Sequence, residues 1–344
     1  MRLKLLFGIN GFGHGHISRA TELIQELQKQ ADVDVVISGN PEKLTLPFPV
    51  KHYFKGFYFS IHNGEVSWLK TIYEFSPIQI LKDMHQLPLD DYDYIITDFE
   101  PITALAARFN KKKCIHISNQ CSQFSPKTPK LNLPLFYRFL DKLALMIFRA
   151  DHYIGFHYLR FDNFIYPPII RRSLTNPNHV KKKPLKPLVL VYLPCFEIRD
   201  QINTFNAIQH HQFIIFHHDY SEDKPFDNNI NVSLSSINNS FDRALLRSTA
   251  VITHAGFSTT SEALFLKKPL LCIPLKGQHE QTHNAMVLKK MGVRIIDELC
   301  NTEIRQWLQQ DHSNPPSLTN TSTEELTELI MSLCLGKARD KERF

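Results

Sequence analysis

Between Val251 and Asn284 the chain reads VITHAGFSTTSEALFLKKPLLCIPLKGQHEQTHN, and this stretch narrows the possible folds most. Val251–Thr253 is a short apolar run of strand type, and His254–Gly256 is a turn. The spacing of apolar residues predicts a helix opening near Ser258, then a second strand over Pro269–Pro274. Lys276–Asn284 reads as a polar loop that closes the unit. A strand–helix–strand unit of this kind builds a doubly wound α/β sheet. Its polar groups stand at the turn, the helix start and the closing loop.

The N-terminal end repeats the pattern. Leu3–Ile9 is a strand and Asn10–Gly15 a glycine-rich turn with Gly11, Gly13 and Gly15 in alternation. Ile17, Ala20, Leu23, Ile24 and Leu27 recur at helical spacing, and Asp32–Ser38 is the next strand. Such sheets bind ligands at the carboxyl ends of their strands. The turn GINGFGHGH is a poor dinucleotide fingerprint, because His14 and His16 interrupt it and Ser38–Asn40 stand where an acidic residue is needed. The basic, apolar start at Met1–Ile9 is broken at once by Gly8, Asn10 and Gly11, so it reads as a strand and not as a leader.

Further along, Asp91–Thr97 is a strand ending at Asp98, and a helix starts at Pro101. Lys51–Ser60 is basic and aromatic, with a turn expected at Asn63–Gly64. Leu133–Arg149 is a markedly apolar helix. Tyr166–Pro187, with Pro177, Pro184 and Lys181–Lys183, has the composition of an exposed linker. The strand pattern restarts at Leu188. A chain of 344 residues exceeds what one core usually holds, so two α/β domains with a site in the cleft between them is the expected plan.

Composition excludes little. Charged residues at 22% and hydrophobic ones at 43% are ordinary for a soluble protein. A net charge of +6 permits anionic partners without selecting one. The basic residues are dispersed and form no nucleic-acid motif. The six cysteines lack metal or redox spacing, and without a leader they fit a reducing cytosol. No apolar run is long enough to span a membrane.

The start of the helix after His254 presents unpaired backbone N–H groups and the positive end of a dipole, which suits an anion such as a diphosphate. Ser258, Thr259 and His254 add donors there. Glu262 could accept from two vicinal hydroxyls. The plainer reading makes Thr259 and Glu262 a capping box. Gln278, Glu280 and Gln281 offer the mixed donors and acceptors that polyol recognition needs, or simply form a solvated loop.

Taken together, His254-Ala-Gly256-Phe-Ser-Thr259-Thr-Ser-Glu262, the strand PLLCIPL and the pair Glu280-Gln281 resemble the donor site of GT-B nucleotide-sugar glycosyltransferases, family 28 type. That group includes enzymes adding N-acetylglucosamine to a lipid-linked precursor. The N-terminal GHGHxxR resembles the first loop of the same superfamily. The resemblance implies two Rossmann-like doubly wound domains facing across a cleft. Residues 1–165 would be the acceptor domain, 166–187 a linker, 188–318 the nucleotide-sugar domain and 319–344 a C-terminal helix and tail. It implies that His254, Gly256, Ser258 and Thr259 hold the donor diphosphate and that Glu262 holds the ribose. Glu280, Gln281 and Gln278 would hold the sugar. The loop Ser235–Phe241 would lie against the base. His16 would be the general base, oriented by Asp98. One departure stands: YLPCFEI after the first strand of the second domain has no glycine-rich phosphate loop.

The chemistry is consistent, since a histidine of ordinary pKa about 6.5 can deprotonate an acceptor hydroxyl near neutral pH. The expected reaction moves a sugar, N-acetylglucosamine or a related hexose, from a UDP-sugar to an acceptor hydroxyl. No cofactor is expected beyond the UDP-sugar co-substrate. Asp32-Val-Asp34 and Asp91-Tyr-Asp93 have the spacing of metal-binding transferase motifs, but they sit at strand entries and read as solvated ends, so no metal is expected. His210–His211 and His217–His218 read as strand-edge residues. The apolar helix 133–149, with Arg138, Lys142 and Arg149, reads either as a core helix or as a surface for an anionic membrane. The second option makes the acceptor a membrane glycolipid and the enzyme cytoplasmic, peripheral at the membrane's inner face. The competing activities are a UDP-sugar hydrolase and a UDP-sugar 2-epimerase of the same fold, with a non-catalytic binding protein behind them.

Overall fold

The computed structural model describes residues 2–11, 14–39, 46, 48–56, 60–62, 65–74, 76–132, 134–175, 186–217, 231–236 and 240–337. Several expectations lie outside these residues. They are Gly13, the turn at Asn63–Gly64, residues 57–59 of the aromatic segment, Leu133, the linker residues Pro177, Lys181–Lys183 and Pro184, His218, and 237–239 of the base loop.

The chain forms two compact units. The first contains residues 1–59, 68–169 and 320–344, and the second 60–67 and 170–319. The strands of unit 1 are β1 (Lys4–Asn10), β2 (Asp32–Ser38) and β3 (His52–Phe54). The hairpin β4 (Ile61–His62) and β5 (Glu65–Val66) belongs to unit 2, and unit 1 resumes with β6 (Tyr94–Asp98), β7 (Cys114–Ser118), β8 (His152–Phe156) and β9 (Ile165–Tyr166). These seven strands form a parallel sheet in the order β3-β2-β1-β6-β7-β8-β9. Its helices are α1 (His14–Leu27), α2 (Trp68–Glu74), α3 (Pro77–His85), α4 (Pro101–Phe109) and α5 (Leu135–Ile147).

Unit 2 holds the helical turn α6 (Arg172–Thr175), then β10 (Leu188–Tyr192), α7 (Ile198–Asn206), β11 (Gln212–Phe216) and β12 (Val232–Ser235). It continues through α8 (Ser240–Arg247), β13 (Ala250–Thr253), α9 (Phe257–Phe265), β14 (Leu270–Cys272), α10 (His279–Lys290), β15 (Arg294–Ile295) and α11 (Asn301–Leu308). Its parallel sheet runs β12-β11-β10-β13-β14-β15.

Both sheets are covered by helices, which is why their strands read as near-continuous apolar runs. In unit 1, Leu6, Val36 and Ile95 meet Ile102 and Ala106 of α4. Gly8 on β1 lets α4 come close, since a Cβ there would lie 2.1 Å from Thr103 Oγ1. In unit 2, Val189, Val191, Phe213 and Ile252 pack with Phe205 and Trp307.

Two boundaries differ from expectation. The last helix, α12 (Thr323–Cys334), is no separate tail but packs on α1 in unit 1. Thr321 donates to the carbonyls of Pro167 and Pro168, and Tyr94 Oη donates to Leu333 O. The segment Ser60–Ser67 leaves the expected 1–165 domain because Val66 N bonds to Lys276 O in unit 2.

α9 opens at Phe257 with Gly256 as its N-cap, within one residue of the expected Ser258, but a second helix start differs. The expected loop Lys276–Asn284 becomes helix from His279, behind a turn at Gly277 with φ 78° and the N-cap Gln278. Glu280 and Gln281 therefore sit in a helix's first turn, where a carboxylate complements the dipole.

Candidate functional site

In each sheet the strand order reverses at one point, and a crevice opens there beyond the strands' carboxyl ends. In unit 1 that point lies between β1 and β6, with Ile9 paired to Asp98. α1 follows β1 at once and brings His16 to the same place.

His16 Nδ1 lies 2.7 Å from Asp98 Oδ1. Arg19, one turn further along α1, grips the same carboxylate through Nε to Oδ2 at 3.1 Å and Nη2 to Oδ1 at 2.5 Å. Its Nη1 donates to Asn119 Oδ1 at 3.2 Å, and its guanidinium lies over the Phe156 ring. Arg19 Nη2 is also 3.1 Å from His16 Nδ1. A guanidinium only donates, so Nδ1 cannot serve both contacts at once. The shorter contact, to an ionised carboxylate, fixes the tautomer as Nδ1–H, and Nε2 is left as the basic nitrogen. Gln120 Nε2 stands 3.5 Å from it, the outer limit of a hydrogen bond.

Asp98 is fully buried, which alone raises its pKa. The Arg19 charge, His16 and their hydrogen bonds outweigh burial and hold the carboxyl below the ordinary range. Behind Asp98 the backbone turns through Phe99 at φ 52°, a left-handed conformation that a bulky residue rarely takes. Its ring stacks on Phe148 at 4.3 Å, and its carbonyl accepts from Asn10 Nδ2.

In unit 2 the order reverses between β10 and β13, and the turn His254–Gly256 follows β13. His254 Nδ1 donates to Ile273 O at 2.9 Å, and its ring stacks on Phe196 at 5.3 Å. Its Nε2 is buried without a hydrogen-bond partner. Burial lowers its pKa to about 4, partly offset by the Ile273 bond, so the ring is neutral with a lone pair on Nε2. Asn284 on α10 donates to Ala255 O at 2.9 Å and pins the turn.

The N-cap Gly256 has no side chain to satisfy the first amides of α9, and a Cβ added there would meet nothing within 4 Å. Half-buried Ser258 and Thr259 occupy this first turn. A helix start with unsatisfied amides and no capping side chain suits an anion.

Glu262 corrects the plainer expectation. A capping box would need Thr259 as the N-cap, but Gly256 holds that place and Thr259 is at N3, so Glu262 lies three residues beyond N3, and Arg171 donates to both of its oxygens. Arg171 also pairs with Asp242, which Ser173 holds from the other side. Gln281 is buried, and its Oε1 accepts from Leu275 N at 3.0 Å. Gln278 Oε1 is buried without a partner, while Glu280 is half-buried.

The glycine-free turn after β10 has its own support. Gln201 Nε2 donates to Leu193 O and Phe196 O, and His217 Nε2 lies 3.1 Å from Phe196 O. His217 is therefore a buried bracing residue and not a strand-edge one. Asp34 and Asp93 are engaged at the strand entries, Asp34 by Lys51 and Tyr92, Asp93 by the amide of Lys4. Among the described residues no three His, Cys, Asp or Glu side chains gather as a metal site needs.

A profile of glycosyl transferase family 1 matches residues 3–310. The chain belongs to glycosyl transferase family 1. No curated protein sequence matches it. Solved structures place this family member among GT-B glycosyltransferases in fold. The glycotransferase of kitacinnamycin is 16% identical with a TM-score of 0.63, over 96% of this chain and 98% of that one. The glycosyltransferase VinC, solved with dTDP, is 13% identical with a TM-score of 0.56, over 97% and 100%. A UDP-N-acetylglucosamine 2-epimerase shares the fold at 13% identity and a TM-score of 0.57, over the whole of both chains. The fold of this glycosyl transferase family 1 chain is GT-B, with each unit a Rossmann-like doubly wound domain.

The family resemblance, and no local signal, paired His16 with Asp98, while sequence reasoning set His254 at the start of α9. It passed over Arg19, Asn119, Arg171 and Asn284. Arg19 stood in view as the last residue of GHGHxxR.

Proposed function

We propose that this glycosyltransferase moves a hexose, N-acetylglucosamine or a close relative, from a UDP-sugar to the hydroxyl of a membrane glycolipid of the cell envelope, without a metal. The observation that carries the reading is the His16–Asp98 pair at 2.7 Å, with Nε2 left basic. His16 Nε2 takes the acceptor's hydroxyl proton as its oxygen bonds to the anomeric carbon. The bond from that carbon to the diphosphate breaks, and UDP leaves with the electron pair. Asp98 holds the imidazole in place and stabilises its charged form. In unit 2 the first amides of α9, with Ser258 and Thr259, take the diphosphate charge. Glu262 holds the ribose, and Glu280, Gln281 and Gln278 the sugar.

The lipid acceptor draws on α5. The expectation of a core helix fails there: Leu135 is 80% exposed, Phe139 62% and Met146 59%, and Leu143 follows on the same face. Exposed Arg138 and Lys142 lie within that stripe. An apolar stripe carrying cations suits a helix lying on an anionic bilayer surface. That association would make the enzyme peripheral at the inner face of the cytoplasmic membrane. Among the described residues no helix is long and apolar enough to cross it.

The test starts with a thermal-shift screen of nucleoside diphosphates, dTDP included, and UDP-sugars, since a saturating ligand raises stability by a few kcal/mol. UDP release from UDP-N-acetylglucosamine is then followed with and without a lipid extract. Lipid-dependent release supports transfer. Equal release without lipid means a hydrolase, and appearance of the 2-epimer means an epimerase. No shift with any uridine nucleotide overturns the donor assignment.

A further inference from the structure

Arg19 supplies a second cation to a carboxylate that an ordinary His–Asp pair would keep to itself. The Arg19 side chain is only 5% exposed, its guanidinium grips both oxygens of Asp98, and its Nη2 shares Oδ1 with His16 Nδ1. Other titratable groups face this cluster from β7 and from the turn 120–124. His116 on β7 is neutral, since burial lowers its pKa to about 3. The Cys121 thiol is pushed far above the usual range by burial and is neutral too. Phe156 on β8 and Asn119 contribute no charge. Among the described residues hydrogen-bonded to one another here, the charges are one carboxylate, one guanidinium and the imidazole.

We infer that Arg19 is a positioning residue that fixes the Asp98 carboxylate and divides its charge, so that protonated His16 is stabilised less than in an isolated pair and gives its proton up readily after transfer. Two contacts decide the direction. When His16 is charged, its Nδ1–H still meets Asp98 Oδ1, but a permanent cation stands 3.1 Å from the same nitrogen. Like charge at that distance disfavours the protonated ring. The guanidinium keeps Asp98 ionised and oriented, and it keeps the base from holding its proton too tightly.

The inference rests on the reading of His16 as the base, but its test needs no substrate. The full-length protein is labelled at histidine, the His16 resonance is assigned by its loss in His16→Gln, and its titration is followed by NMR. In Arg19→Met the midpoint should rise by about one pH unit, a tenfold change in proton affinity. Arg19→Lys should stay near the wild type. Where Arg19→Met does not fold, the pair Asp98→Asn and Asp98→Asn/Arg19→Met carries the test. The single variant should titrate below the wild type, and the double variant about one unit above the single. Coincident midpoints in either comparison overturn the inference and leave the base assignment intact. Full transfer activity in His16→Ala removes the base assignment and leaves the titration result standing.

Discussion

Arg171 donates from Nε and Nη2 to the two oxygens of Glu262, both at 2.6 Å, while Nη1 turns to Asp242. A carboxylate accepts at about four lone-pair positions, so a ribose diol can bind on the side that Arg171 leaves open. Glu262→Ala should weaken UDP binding roughly 10- to 100-fold, the effect of one or two lost charge-assisted bonds. Because Asp242 still holds Arg171, the stability loss should stay near 1–3 kcal/mol. Calorimetry with UDP and urea unfolding separate the two effects. Unchanged affinity in a folded variant would make Glu262 a structural partner of Arg171 and nothing more.

His16→Ala removes the base and leaves unit 2 untouched. UDP affinity should survive while transfer falls by roughly 100-fold or more. Turnover at the wild-type rate would falsify the assignment.

The buried histidines set an acid limit on stability. His254 holds off its proton until about pH 4 when folded, and His116 until about 3, whereas an unfolded histidine takes one up near 6.5. Their contribution is thus complete above about pH 6.5 and is lost as pH falls toward 4, at up to about 1.4 kcal/mol per pH unit for each ring. Asp98 acts in the same direction at lower pH: its depressed pKa adds stability above about pH 4 that is lost as pH falls further. Urea midpoints at pH 7 and pH 5 should differ in the wild type and differ less in His254→Asn. An equal pH dependence in the two proteins would show that His254 protonates freely in the fold.

The exposed face of α5 predicts salt-sensitive binding to anionic lipid. Replacing Arg138 and Lys142 by Gln removes two cations worth about 1 kcal/mol each near such a surface. Co-sedimentation with phosphatidylserine vesicles should fall roughly 30-fold, and Phe139→Ser should lower it further. Absence of wild-type binding at low salt would end the membrane reading.

Gly8 has a purely structural prediction. A methyl group at this position would overlap Thr103 Oγ1 and crowd its Cβ and Cγ2, all within 2.9 Å. Gly8→Ala should destabilise unit 1 by about 1–3 kcal/mol, read as a lower urea midpoint. An unchanged midpoint would mean that α4 shifts on β1 at little cost.

The elements legible in the sequence were those whose signals are local. The apolar run Leu3–Ile9 and the spacing of Ile17, Ala20, Leu23, Ile24 and Leu27 match β1 and α1, although α1 opens at His14, inside the expected turn Asn10–Gly15. Only the start of α10 was illegible, because its first buried residues are polar: Gln281, His283 and Asn284 point inward, and apolar spacing registers only from Ala285 through Val287 and Leu288. α5 was left with two readings, core or surface, for the opposite reason. Its apolar residues promise a core, and composition does not say whether protein covers them.

By itself the sequence determined the alternation of strands and helices and the turn at His254–Gly256, and hence the class of fold. These depend on neighbours within a few residues. Tertiary structure alone decided that His16 meets Asp98 across 82 residues, that Arg19 joins them, and that Arg171 reaches Glu262 across 91. Such pairings follow from which strands lie side by side, and strand order is set by the packing of whole sheets, not by any local preference.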